Sequence, residues 1–408
     1  MTWRIGGTIR IAAAVAALAL PAAGAAAQSL TSVRGLGYPL LPVDARSEIM
    51  GGLGIGLQGF GIPMTDPAAP AGVIRRGFVL AVENTSRQMD LGETGDVSSA
   101  TRFPLLRMIF PLRQVVLTVG YGAFLDQSWG VSTSGSLPLG SGGAVSYSDL
   151  VESTGGVGQF QVGAALPLGE DFAVGATVGG LIGNQRVRLV RRFDTTAVAG
   201  FEPFDEAYGW RYSGLTASAG ANARVGRVAQ LGASVTWSGT VTADSVEGRA
   251  VGREFEAPLQ VAGGASAYLG PRLLAAVSTR WSGWSAASPE GAAGGVVGVG
   301  DVIDARDTWE VGAGLELDSP ESRRTRTFPV RVGFQYRQLP FTFLEDQPTE
   351  WLVGAGVGMR MGTSPENPIA LVDLAVQRGA RSAAGTAALG DFRESVWRVA
   401  LTLSLFGN

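Results

Sequence analysis

The sequence predicts an all-β fold: a fourteen-stranded antiparallel β-barrel that spans a membrane. Three observations predict it. Apolar and small residues alternate with period two over segments of about ten residues, the length of a tilted membrane-spanning strand. The strand count is even and the connections alternate between short and long, as single-chain bacterial barrels require. The tryptophans gather at one end of the strands, where an indole suits the boundary between lipid headgroups and hydrocarbon. Composition agrees, with 60 glycines in 408 residues and only 16% charged residues.

The first element is not part of the barrel. Arg4 and Arg10 precede the apolar run Ile11–Leu20, and an alanine tract ends at Ala27. This pattern predicts a secretory signal over 1–27, cut before Gln28. The run is shorter than the ~20 residues a spanning helix needs. Residues 28–73 follow, and they contain RSEIMGGLGIGLQGFGIPMTDPAAPAG, Arg46 to Gly72. That stretch is too apolar for a solvated tail, too glycine-rich for a helix, and broken by Pro63, Pro67 and Pro70. Prolines cannot donate to a ladder, so it does not extend the first strand.

The barrel is expected over 74–408. Its strands read 74–86, 102–110, 114–128, 157–167, 172–190, 208–225, 229–245, 252–268, 272–284, 306–317, 329–338, 350–361, 368–378 and 394–406. In VVLTVGYGAFL, Val115, Leu117, Val119, Tyr121, Ala123 and Leu125 share the predicted outer face. In WEVGAGLEL, Trp309, Val311, Ala313, Leu315 and Leu317 oppose Glu310, Gly312, Gly314 and Glu316. WLVGAGVGMR and WRVALTLSLF repeat the arrangement, so one face is large and apolar and the other small, polar or charged. Such an inner face suits a crowded lumen. Short turns fall at PLRQ (111–114), LPLGED (166–171), GRV (226–228) and LGPR (269–272), with longer loops at 129–156 and 285–305. The turn at 318–328 is long for the short-turn end.

Beyond Trp3, the tryptophans are 129, 210, 237, 281, 284, 309, 351 and 397, each near the long-loop end of its strand. Trp129, Trp237, Trp281, Trp309, Trp351 and Trp397 have the parity of the outer face. The inner face carries placed charges. One antiparallel register sets both Glu316 opposite Arg331 and Glu310 opposite Arg337, and Arg360, Asp373 and Arg398 continue the row. Two roles are open to these residues: a polar track for a solute, or bracing of the wall and of a plug. The external Tyr147, Asp149 and Glu152 and the Arg191-Arg192 pair read as surface charge.

Composition also excludes functions. There is no cysteine and no histidine, which removes thiol chemistry, disulfides, imidazole bases and the commonest metal ligand. Ser–His membrane hydrolysis cannot operate, no enzymatic constellation is found, and no cofactor is expected. The net charge of −3, without a basic patch, argues against nucleic acid.

The N-terminal stretch resembles the start of the FadL-type outer-membrane transport family and its PorV-like relatives. Arg46, Met50-Gly51-Gly52, Gly54 and Gly56-Leu57 match its opening run, and Asp66-Pro67-Ala68 stands where Asn-Pro-Ala is usual. The resemblance implies a hatch plugging a fourteen-stranded barrel in the outer membrane of a diderm bacterium. It also implies insertion by the barrel-assembly machinery and passive uptake of hydrophobic small molecules such as long-chain fatty acids. Candidate ligand contacts in the hatch are then Met50, Leu53, Ile55, Leu57, Phe60 and Ile62, with Arg331 and Arg337 as carboxylate partners. The alternatives are a PorV-like barrel holding secreted protein clients, or a general porin, which an apolar plug disfavours.

Overall fold

The computed structural model describes residues 36–91, 94–139, 143–194, 202–226, 228–248, 251–287, 305–317, 326–342, 346–364, 367–386 and 390–407. The expected signal lies outside them, as do residues 28–35 of the hatch and 318–325 of the long turn. The described residues form a closed, up-and-down antiparallel barrel of fourteen strands. These are β1 (Arg76–Leu91), β2 (Thr94–Leu112), β3 (Val115–Asp126, resuming as Trp129–Pro138), β4 (Ala144–Leu168), β5 (Phe172–Phe193), β6 (Phe204–Val225) and β7 (Ala229–Ser238, Thr240–Glu247). There follow β8 (Arg253–Glu256, Gln260–Tyr268), β9 (Leu273–Ser282), β10 (Thr308–Leu317), β11 (Arg326–Thr327, Val330–Gln338), β12 (Thr349–Ser364), β13 (Asn367–Thr386) and β14 (Gly390–Gly407). The seam pairs β14 with β1, from Arg393↔Asp90 to Gly407↔Arg76.

Alternation sets the two faces. On β10, Trp309, Val311, Leu315 and Leu317 are exposed while Glu310 and Glu316 are buried. Val332 and Phe334 of β11, Trp351 and Val353 of β12 and Val399 and Leu405 of β14 continue the apolar exterior. An apolar band this continuous is a surface for hydrocarbon; in water it would be covered. The register of β10 with β11 sets Glu310 opposite Arg337 and Glu316 opposite Arg331.

Two features differ from expectation. Residues 87–101 and 129–156 are not loops. β1 and β2 stay paired as far as Leu91↔Thr94, and the outer part of β3 pairs with β4 from Trp129↔Ser153 to Pro138↔Ala144. These stretches are rich in Ser, Thr and Gly, so they lack the apolar face that makes a strand visible in sequence. With β4 at 25 residues and β5 and β6 at 22 each, a sheet projects beyond the membrane, which needs only ~9–11 residues per strand. Opposite charges brace it: Arg191 forks onto Asp149 with both bonds at 2.7 Å, and Arg188 meets Asp205.

The second difference is a bulge at Phe124, between Ala123↔Gly158 and Leu125↔Val157 of the β3–β4 ladder. The extra residue inverts the parity of everything beyond it. Leu125 and Trp129, expected on the lipid face, are buried instead, at 2% and 4% exposure. Trp210 and Trp284 are buried as well, whereas Trp237, Trp309, Trp351 and Trp397 are exposed.

Candidate functional site

The hatch fills the lumen along residues 36–72. Tyr38–Pro39 adds a short strand to β3, with Tyr38 opposite Asp126. Asp44 then caps the helix α1 (Ala45–Ile49), its carboxylate accepting the Ser47 amide at 2.9 Å. From Met50 on, the chain runs along the inner wall where that wall has no side chains. A Cβ on Gly312 would collide with the Gly51 carbonyl, and one on Gly56 would lie 2.7 Å from the Gly232 nitrogen. Gly51 and Gly56 also have φ of 109° and 64°, which only glycine adopts readily. The small inner face read from sequence is therefore the imprint of the hatch. The Asp66-Pro67-Ala68 element is its pin. The Asp66 carboxylate accepts from Asn222 Nδ2 of β6 at 2.9 Å, from the Gly56 amide and from the amides of Ala68 and Ala69. Burial pushes this carboxyl above its ordinary range.

Charge fixes the hatch to the wall. Glu316 receives Arg46 of α1 at 2.7 Å, Arg331 at 2.5 Å and Arg360 at 3.1 Å, and Arg331 also meets Asp373 at 2.6 Å. Arg398 holds Glu48 at 2.9 Å, and the Ala45 amide donates to Thr402. Burial, set against Arg398, pushes the Glu48 carboxyl up to about 7. Glu310 is served by Arg280 at 2.7 Å and not by Arg337, whose partner is Glu350 on β12. Glu350 also receives Arg381 at 2.8 Å and the Tyr38 hydroxyl at 2.9 Å. Three guanidiniums, of Arg87, Arg337 and Arg381, lie 5.1, 4.8 and 4.1 Å from the Tyr38 ring centre. All three Arg87 nitrogens are buried without a hydrogen-bond partner among the described residues. The seven inward charges singled out in sequence thus fall into separate networks: Glu316, Arg331, Arg360 and Asp373 around Arg46 of the hatch, Arg398 on Glu48, Arg337 on Glu350, and Glu310 on Arg280 of the wall.

The apolar hatch residues divide. Met50 packs on Leu274 and Ala276, and Leu53 and Ile55 pack on Ala262 of β8, all at 3% exposure or less. Leu57, Phe60 and Ile62 line a cleft of ≈ 380 Å³ at the short-turn mouth.

Above the hatch the lumen is apolar. Phe124, Trp210, Tyr212, Phe255, Trp284 and Phe341 form one buried cluster fed by β3, β6, β8 and two long connections. Trp284 stacks on Phe124 at 6.1 Å and meets Phe341 edge-on at 5.7 Å. Trp284 stands on the short 3₁₀ turn Trp284–Ala287, not on a strand. A polar chain borders the cluster: the Tyr212 hydroxyl donates to Gln185 at 2.8 Å and accepts from Gln127 at 3.0 Å and Arg253 at 2.7 Å. Sequence reading missed this cluster because its members lie far apart in the chain. The available signal was the inward parity of Phe124 and the placement of Trp210 and Trp284.

Beside this cluster the wall is interrupted. Among the described residues the β2–β3 ladder ends at Leu105↔Gly122, although both strands continue. Pro104 has no N–H to carry the ladder on. A second bulge lies at the same level, where β1–β2 pairing jumps from Ala81↔Leu105 to Glu83↔Arg102. The hatch occupies the β3 edge that the gap leaves open, with Tyr38↔Asp126 and Pro39↔Leu125 paired and the Leu40 amide donating to Phe124, and an ion pair crosses the notch from Arg102 to Asp126 at 2.7 Å.

No protein-family model matches this chain, and no curated protein matches it in sequence. Solved structures do. It superposes on a Pseudomonas aeruginosa FadL homologue with a TM-score of 0.60 and 13% identity, over 90% of this chain and 99% of that one. The Ralstonia pickettii toluene transporter TbuX gives a TM-score of 0.56 and 16% identity, over 92% and 99% of the two chains. The Pseudomonas putida toluene transporter TodX gives 0.54 and 15%, over the same shares. The closed fourteen-stranded barrel of this chain has the fold of the FadL-type outer-membrane transport proteins, at 13–16% sequence identity to these three.

Proposed function

We propose that this chain is an outer-membrane barrel for the passive uptake of hydrophobic small molecules. One observation carries the reading: the upper lumen, which a water-filled pore would line with polar groups, is lined by the aromatic cluster around Trp284. A solute partitions into that cluster by displacing Trp284, the member held by a turn. The neighbouring notch between β2 and β3 offers it a way to the hydrocarbon of the membrane once the hatch strand Tyr38–Pro39 leaves the β3 edge, while the rest of the hatch blocks water and ions. The solved relatives described as toluene transporters support an apolar cargo of this size, and long-chain fatty acids fall within the same class.

The test is binding and uptake. Purified protein should bind toluene or dodecanol with a change in tryptophan emission, and Trp284→Ala should remove most of that change and slow uptake by cells at least about tenfold. Large, steady ion conductance in planar bilayers, with no binding of either compound, would sink the reading.

A second reading, a barrel that holds a protein client, has one observation in its favour. The outer part of β3, Trp129–Pro138, pairs with β4 on one side, and among the described residues no strand pairs with its other edge. A client adding a strand there would protect the β3 amides from exchange.

A further inference from the structure

We infer that the cleft at the short-turn mouth is a binding site for an apolar monoanion, a single-chain alkyl carboxylate, on the inner side of the hatch. The proposal rests on the reading of this barrel as a carrier of apolar solutes, and it names one class among them. The cleft is preformed, and its ≈ 380 Å³ falls within the ~300–1,000 Å³ of small-molecule sites. Hatch and barrel build it together: Leu57, Phe60, Ile62 and Ile74 come from the N-terminal segment, and Phe406 from the last strand. Ile74 is 74% exposed, an apolar side chain that nothing in the described structure covers.

Its charge is one-sided. Arg75 and Arg224 are the only ionisable residues of the lining, no carboxylate shares it, and neither guanidinium has an ion pair among the described residues. Asn222, which also lines the cleft, is already committed to Asp66. Apolar walls with two free guanidiniums at the rim fit a hydrocarbon chain ending in one negative group. The volume is too small for a two-chain lipid, and an inorganic anion would leave the apolar walls unused.

The site also answers a physical problem. A neutral hydrocarbon can leave through the wall notch into lipid, but a carboxylate pays a large desolvation cost there. A cationic, partly apolar receiver on the inner face would give such a solute a watery exit.

The test uses full-length protein in non-ionic detergent and dodecanoate carrying a photoactivatable group at its chain end, with labelled peptides located by mass spectrometry. Labelling is expected on the peptides containing Phe60, Ile74 or Phe406, competed by dodecanoate and at least tenfold less by dodecanol. The Arg75→Gln, Arg224→Gln double variant should lose that labelling about tenfold and keep any labelling near Trp284. Ala69→Trp, which fills the cleft without removing charge, should lose it too. Equal competition by acid and alcohol, or labelling indifferent to both variants, overturns the proposal while the transport reading stands. Absence of labelling and of apolar binding at both sites overturns the two together.

Discussion

At the scale of single residues, Glu316 is the most consequential group in the lumen. It is 3% exposed and is the carboxylate that three arginines, 46, 331 and 360, converge upon. Such a group adds little over an apolar replacement of the whole network, yet removing one partner strands the others in a dry interior. Glu316→Ala should therefore cost about 3–5 kcal/mol of local stability, most of it in the docking of α1. Hydrogen exchange of residues 45–58 should quicken by at least two orders of magnitude while the β4–β6 amides stay protected. Uniform quickening across the barrel, or none, would contradict a hatch-specific role. Asp44 of the hatch and Asp373 of the wall, which shares Arg331, would then be the carboxylates left to face Arg46.

At the scale of elements, β2 and β3 decide whether the wall is sealed. Their ladder stops at Leu105↔Gly122, with Pro104 and the Phe124 bulge on either side of the gap, the hatch strand Tyr38–Pro39 on its β3 edge and the Arg102–Asp126 ion pair across it. Replacing that ion pair by two cysteines joined with a short bis-maleimide linker would staple the notch, and a chain without native cysteine makes the experiment clean. The Arg102→Cys, Asp126→Cys variant should take up toluene at near the native rate before linking and at least about tenfold more slowly after it. Equal rates in both states would exclude the notch as an outlet. The same two strands mark the limit of what the sequence disclosed. Alternation revealed all fourteen strands, and charge spacing revealed the β10–β11 register, because both are periodic signals. A bulge is a defect in the period, so nothing in AFLDQSW announces that Leu125 and Trp129 turn inward. The aromatic cluster left only a faint trace, the inward parity of Phe124 and the placement of Trp210 and Trp284, because its members lie between positions 124 and 341 and meet through barrel closure. The glycine stripe was legible as a small inner face, but its partner, the hatch backbone, shows only in three dimensions.

At the scale of the whole molecule, seven of the eight described tryptophans form two populations with different neighbours, and Trp281 is half-buried between them. Trp237, Trp309, Trp351 and Trp397 are between 46% and 55% exposed on the outer wall, whereas Trp129, Trp210 and Trp284 are at 4% or less. In vesicles, lipids brominated just below the headgroup should quench the first group more than lipids brominated near the chain end. A variant with Trp129, Trp210 and Trp284 all changed to Phe should keep nearly all of that quenching. If most of it disappears, the assignment of faces is wrong. The seam has a consequence of its own. β14 closes the barrel on β1, and it is also the strand whose Arg398 and Thr402 grip α1. The hatch precedes β1 in the chain, yet part of its hold comes from the last strand. Contacts that close the wall and contacts that seat α1 therefore share one strand, and loosening β14 loosens both.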